Sequence, residues 1–126
     1  MKREIVQTAN APAAIGPYSQ AVIAGDMVFT SGQIPLDPVT GSMVGSDITE
    51  QTVRVCENLR AVLEAAGSSP KLAVKTTCYL TSMDNFVAFN AVYAQYFPTT
   101  PARSCVAVKE LPKGALVEVE VVAVKA

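Results

Sequence analysis

Hydrophobic positions along this chain change period several times, and each change predicts an element. Val22 to Ala24 and Met27 to Phe29 are apolar or β-branched runs separated by Gly25-Asp26, a turn pair, so residues 18–24 and 26–31 are expected to form a hairpin. Asp37-Pro38-Val39-Thr40-Gly41 is rich in turn formers and reads as a loop. From Asp47 to Ala66 the residues Ile48, Val55, Cys56, Leu59, Val62, Leu63 and Ala66 recur at three- and four-residue intervals, the stripe of an amphipathic helix. Ser46 or Asp47 can cap it, and Gly67 suits the left-handed position after its last turn. Residues 71–82 alternate as a strand, with Val74, Thr76, Cys78 and Leu80 on one side and Ala73, Lys75, Thr77 and Tyr79 on the other. Asp84 opens a second helix bearing Phe86, Phe89, Val92, Tyr93, Tyr96 and Phe97, which Pro98 stops.

Two last strands are expected around Arg103 to Glu110 and Leu116 to Lys125, and a short one near Ile5-Val6. The order ββ, helix, strand, helix, ββ predicts an α+β layer with both helices on one face of a mixed sheet. Residues 1–126 are expected to form one domain. Its second sheet face would carry Val, Ile, Ala and Cys beside a few polar groups, and self-association would hide that face.

Composition narrows the chemistry. Half of the 126 residues are hydrophobic and 17% are charged, so the chain is not of the disordered class. Net charge is -1 and the ten Lys and Arg are scattered, which argues against a dedicated nucleic-acid binder. Residues 1–10 hold no apolar core of signal-peptide length, and nothing approaches about 18 continuous apolar residues. A soluble cytoplasmic protein with no membrane partner is expected. Cys56, Cys78 and Cys105 contain no C-x-x-C pair, so neither a disulfide framework nor a cysteine zinc site is indicated. There is no histidine. Any catalysis must therefore use Arg, Glu, Cys, Tyr, Asn, backbone groups or water.

The candidates cluster near the C-terminus. Strand parity puts Arg103 with Cys105, and Glu118 with Glu120. If the two last strands pair around residues 111–114, Arg103 comes close to a carboxylate on a mostly apolar surface. An arginine fork can hold a substrate carboxylate through two hydrogen bonds, and a nearby glutamate can hold water or a developing cation. The alternative is an ordinary cross-strand ion pair of about 0.2–1 kcal/mol. Cys105 reads as a small buried hydrophobe or as a nucleophile, the latter without a histidine to activate it. Gly16-Pro17 aims Tyr18 in a set direction, for packing or for binding. Thr30-Ser31-Gly32-Gln33 has the composition of an anion-cradling loop or a plain turn. Asn90 is a polar exception among the aromatics of the second helix, suited to bracing a loop or touching a ligand.

Taken together, Gly16-Pro17-Tyr18-Ser19-Gln20, Thr30-Ser31-Gly32-Gln33-Ile34-Pro35, Asn90 with Tyr93 and Tyr96-Phe97-Pro98, and Pro101-Ala102-Arg103-Ser104-Cys105-Val106 with Val117-Glu118-Val119-Glu120 resemble one family. The chain is similar to the RidA branch of the Rid family of reactive-intermediate deaminases, also described as YjgF-like or L-PSP endoribonucleases. The match runs from about Ala11 to the C-terminus. The resemblance implies a chorismate-mutase-like α+β fold of the bacillus type, assembled as a homotrimer around a central barrel with a cleft at each subunit boundary. It implies hydrolysis of enamine and imine intermediates, such as 2-aminoacrylate and 2-iminopropanoate, to 2-keto acids and ammonia, without cofactor or metal. Arg103 would hold the substrate carboxylate and Glu118 would position the attacking water and stabilise the protonated imine. Cys105 would lend its backbone groups, while Tyr18, Ser31, Gly32 and Asn90 would shape the pocket. The alternatives are a non-catalytic binder or sensor of small carboxylates such as 2-keto acids and, with less support, a ribonuclease or translation inhibitor.

Overall fold

A computed structural model describes residues 2–126, and Met1 lies outside the described residues. The elements in chain order are β1 (Arg3–Val6), β2 (Ala21–Ala24), β3 (Met27–Thr30), α1 (Ile48–Ala65), β4 (Ala73–Leu80), α2 (Phe86–Tyr96), β5 (Ala102–Ala107) and β6 (Val117–Val124). Short 3-10 turns precede β4, α2 and β6. The strands form one mixed sheet in the order β1-β2-β3-β6-β4-β5. All neighbours are antiparallel except β4 and β5.

Local chemistry explains the boundaries. Asp47 Oδ1 accepts from the Glu50 N–H at 2.8 Å and so caps α1, a bond worth about 1 kcal/mol. Gly67, at φ 80°, ends the helix in the left-handed region, which costs glycine little. Val55, Leu59, Val62 and Leu63 lie fully buried between α1 and the sheet, each contributing roughly 1.5–3 kcal/mol of apolar burial. Val117, Val119, Val121 and Ala123 supply the facing stripe of β6. Asn58, in that same stripe of α1, is buried and donates to the Leu36 carbonyl at 3.0 Å and the Ile34 carbonyl at 3.4 Å. It ties the loop after β3 to the helix.

Three expectations need correction. First, β5 and β6 do not pair: β6 already bonds β3 on one edge and β4 on the other, so β5 takes the outer edge of β4. Second, the alternation of β4 slips at its start. Ala73 pairs with Ala123 but Lys75 with Val122, so Val74 is an extra residue that bulges outward; Ala73 takes the helix side and Val74 is exposed. Third, the cysteines do not line the open sheet face. Cys56 and Cys78 are buried, and Cys105 packs against the helix-covered core.

The open face is otherwise as the pattern predicts. Ile5, Phe29 and Val106 remain 64%, 45% and 46% exposed, and the register joins Ile5, Val22, Phe29 and Val122 in one apolar row. Beside that row Thr77 and Tyr79 of β4 face Glu120 and Glu118 of β6. No helix of the described residues is long and apolar enough to cross a membrane.

Candidate functional site

Glu118 occupies the open face because its neighbours Val117 and Val119 are drawn into the helix-covered core. β6 extends beside residue 33, whose N–H donates to the Val119 carbonyl at 2.9 Å and whose carbonyl accepts from the Val119 N–H at 3.2 Å. That bridge lays Gly32 against the Glu118 side chain. A Cβ at position 32 would lie 2.5 Å from Glu118 Oε2 and 2.8 Å from Cδ. Only glycine leaves room for the carboxyl there.

β3 ends at Thr30, and Gln33 rejoins the edge of β6 through a single bridge. The Ser31 N–H donates to the Gln20 carbonyl at 2.9 Å and its hydroxyl to the Ser19 carbonyl at 2.5 Å. Those two bonds fix the segment that carries Tyr18. Gly16 at φ 134° and a Tyr18 N–H to Gly16 carbonyl bond of 2.9 Å turn the chain at Pro17. Tyr18, Ser31, Gly32, Glu118 and Glu120, with Pro112 across from them, line an open cleft of about 440 Å³. A larger cavity of about 510 Å³ between β1 and the segment before β2 has no charged side chain in its wall. Its buried Gln20 is engaged by the backbone of Thr8, Ala11 and Pro12, so this cavity offers no ionic group.

Glu118 is partly buried, and burial, then the neighbouring Glu120 charge, raises its pKa above the usual carboxylate value. Among the described residues no group donates a hydrogen bond to it. A desolvated carboxyl without donors is a stronger base than one in water.

Arg103 lies on the other side of the sheet. β5 turns Arg103 and Cys105 toward the helices, in line with Thr76 and Cys78 of β4. Phe86, Asn90 and Tyr93 fall at i, i+4 and i+7 on α2 and so present one stripe to that edge. Arg103 Nη1 donates to Asn90 Oδ1 at 2.7 Å, and its guanidinium carbon stands 4.9 Å from the Tyr93 ring centre and 5.5 Å from that of Phe86. Tyr93 is itself held by a 2.6 Å bond between its hydroxyl and Thr76 Oγ1. The cation–π contacts are worth about 0.5–2 kcal/mol each, depending on desolvation. No carboxylate pairs with Arg103 among the described residues. The fork is positioned and left uncompensated, which suits an incoming anion. Asn90 braces the arginine.

The structure thus brings together Tyr18, Ser31, Gly32 and Glu118 on the open face, and separately Arg103, Cys105 and Asn90 on the helix face. Arg103 and Glu118 do not meet within one chain. The ordinary ion pair considered from the sequence is absent, since β4 separates the two strands. The Cys105 thiol is raised above its usual value by burial, partly opposed by the Arg103 charge, and that disfavours the thiolate a nucleophile needs. Among the described residues no three Cys, Asp or Glu side chains converge to hold a metal ion. Sequence reading passed over Asn58, Gln51 and Tyr79. Asn58 and Gln51 stand on the buried side of α1, and a polar residue inside an apolar stripe is the signal that could have found them. Gln51 Oε1 accepts from the Leu116 N–H at 2.8 Å, pinning the chain just before β6.

Comparison with known proteins gives consistent matches. Residues 8–125 match the family model described as Endoribonuclease L-PSP. A RutC family protein of Pyrococcus horikoshii is 51% identical over 124 residues, covering 98% of each chain. The fold is similar to that of YyfA of Yersinia pestis, a conserved Rid-family protein, with 49% identity, a TM-score of 0.94 and coverage of 98% and 99% of the two chains. It is also similar to E. coli TdcF, solved with bound serine, at 44% identity, a TM-score of 0.93 and coverage of 98% and 99%.

Proposed function

We propose that this chain, which belongs to the Endoribonuclease L-PSP family together with RutC and Rid proteins, is a 2-iminobutanoate/2-iminopropanoate deaminase. It hydrolyses reactive enamines and imines to 2-keto acids and ammonia, at sites assembled between copies in a homotrimer. The observation that carries this reading is the division of the site. An uncompensated, aromatic-backed Arg103 and a desolvated, donor-free Glu118 sit on opposite faces of one sheet, so each is half of a site that a second copy completes. The exposed apolar row of the open face supports association around a central barrel.

The chemistry follows from the two halves. The substrate carboxylate binds the Arg103 fork of one copy, which presents the C=N bond to Glu118 of the next. Glu118 takes a proton from water as the C–O bond forms and the C=N electron pair moves to nitrogen. Protonated Glu118 returns that proton to nitrogen. As the C–N bond breaks and the carbonyl forms, the hydroxyl proton passes back through Glu118 to the departing ammonia. An iminium is already electrophilic, so orientation and charge placement suffice. Enamines enter the same path after tautomerising to the imine.

Complementation tests it. Arg103→Ala and Glu118→Ala should each abolish keto-acid formation from enzymatically generated 2-iminopropanoate. Co-assembled from equal amounts, the two variants should regain about one quarter of the wild-type sites, because a site needs the intact residue from each of two neighbours. Inactive mixed trimers, or full activity of Arg103→Ala alone, would overturn the reading.

A second reading, a non-catalytic binder of small carboxylates, is favoured by one observation, the serine bound to TdcF. Saturable binding of a keto acid or amino acid that depends on Arg103, without faster imine hydrolysis, would establish it. A ribonuclease is disfavoured by the net charge of -1 and the lack of histidine.

A further inference from the structure

We propose that Tyr79 and Glu120 are positioning residues for Glu118: Tyr79 pins the Glu120 carboxylate beside Glu118, where its charge makes Glu118 the stronger base. This deepens the deaminase reading of the cleft and rests on it.

The geometry begins with register. Tyr79 stands opposite Glu118, and Thr77 opposite Glu120, on the open face of β4 and β6. Glu118 and Glu120 are two residues apart on one strand, about 7 Å along it, and both line the same cleft. Their surroundings differ. The Tyr79 hydroxyl donates to Glu120 Oε1 at 3.0 Å, whereas Glu118 has no donor among the described residues and lies against Gly32. A hydrogen bond to the ionised form favours it, and two nearby carboxyls resist ionising together. Tyr79 thus fixes where the Glu120 charge stands relative to Glu118, whose own carboxyl has no donor.

Within one chain the other charged or titratable groups stand apart from the pair, and in the proposed assembly the Arg103 fork of the neighbouring copy is engaged by the substrate carboxylate. On the open face of β4, Lys75 reaches toward Ser104 Oγ at 3.5 Å, and Cys78 is turned to the other face. Open-face residues Ser104 and Val106 of β5 are uncharged, and Arg103 faces the helices. Residues 31 and 32 bring no charge, and Tyr18 lines the cleft as a phenol. Lys113 borders the adjoining cavity beside Pro112. Burial and then Glu120 raise the Glu118 pKa, while the bond to Glu120, followed by burial, raises that of Tyr79.

The consequence is a glutamate better able than a solvated one to accept a proton from water and hand it on to nitrogen. Tyr79 and Glu120 act through Glu118, so the test must read Glu118 itself. Carboxyl resonances of 13C-glutamate-labelled protein, assigned with Glu118→Gln, are titrated in wild type, Glu120→Gln, Tyr79→Phe and the double variant. Glu120→Gln should shift the Glu118 titration to lower pH and carry the acid limb of the kcat/KM profile with it. Tyr79→Phe alone should shift the Glu118 titration part of the way in the same direction by freeing the Glu120 side chain, and should change nothing further in the Glu120→Gln background. An unmoved Glu118 titration in Glu120→Gln, or an equal effect of Tyr79→Phe in both backgrounds, would overturn the proposal. Because the titration needs no turnover, shifted resonances in a protein that hydrolyses no imine would uphold the pair while refuting the deaminase.

Discussion

Gly32→Ala isolates the position of one carboxyl from the stability of the fold. The new methyl would stand 2.5 Å from Glu118 Oε2, 2.8 Å from Cδ and 3.0 Å from Cγ. Ordinary contact begins near 3.4 Å, so the carboxylate must retreat by 3.4 − 2.5, about 0.9 Å. Its side chain can swing outward into the open cleft to do so. Backbone strain does not enter, because Gly32 is outside the left-handed region, and replacing glycine there stiffens the unfolded chain by about 0.4–1 kcal/mol in favour of folding. A displacement of about 1 Å in a reacting group can cost on the order of 100-fold. A loss of roughly 10- to 100-fold in kcat/KM is expected, equivalent to about 1.4–2.7 kcal/mol of transition-state stabilisation. Thermal unfolding should give an unchanged or slightly higher Tm. The assay is keto-acid release from an amino-acid-derived imine, with semicarbazide trapping of the surviving intermediate. Wild-type kcat/KM in Gly32→Ala would show that the seating of the Glu118 carboxyl against residue 32 is irrelevant to the reaction, and the reasoning would fall.

Three further outcomes follow from the same geometry. Asn90→Ala removes the 2.7 Å acceptor from Arg103 and frees its fork. KM should rise by about tenfold, in keeping with loss of a charge-assisted bond, while urea unfolding moves little. Cys105→Ala should keep most of the activity, since burial holds the thiol protonated and the residue packs at the margin of the core; complete loss with assembly intact would make the sulfur a participant. Asn58→Ala leaves the Ile34 and Leu36 carbonyls without their donor. Urea denaturation should register a loss of roughly 1–3 kcal/mol, and no loss would mean that water replaces the amide.

Much of the fold was legible because helices and strands advertise themselves locally. The 47–66 stripe forms α1 with Asp47 as its cap, since a 3.6-residue period and a capping side chain are properties of neighbours in sequence. The bulge at Val74 was not legible: nothing near that residue reveals that Ala123 and Val122 of a distant strand set its register. The contact that Glu120 makes is not legible for the same reason. Its partner Tyr79 is 41 residues away in sequence, and only the pairing of β4 with β6 brings them together.

The candidate site divides along this line. Sequence alone determined which side chains were available, through an absent histidine and a single Arg-Ser-Cys segment, and strand parity rightly grouped Arg103 with Cys105 and Glu118 with Glu120. Tertiary structure decided where those groups point. Parity has no absolute sense until a core exists, and the valines of β6 turned its glutamates to the open face while α2 drew Arg103 to the covered one. With β4 inserted between the two strands, what read as one cluster became two groups on opposite faces of the sheet, because hydrogen-bonded strand order is a long-range choice that local pattern does not encode.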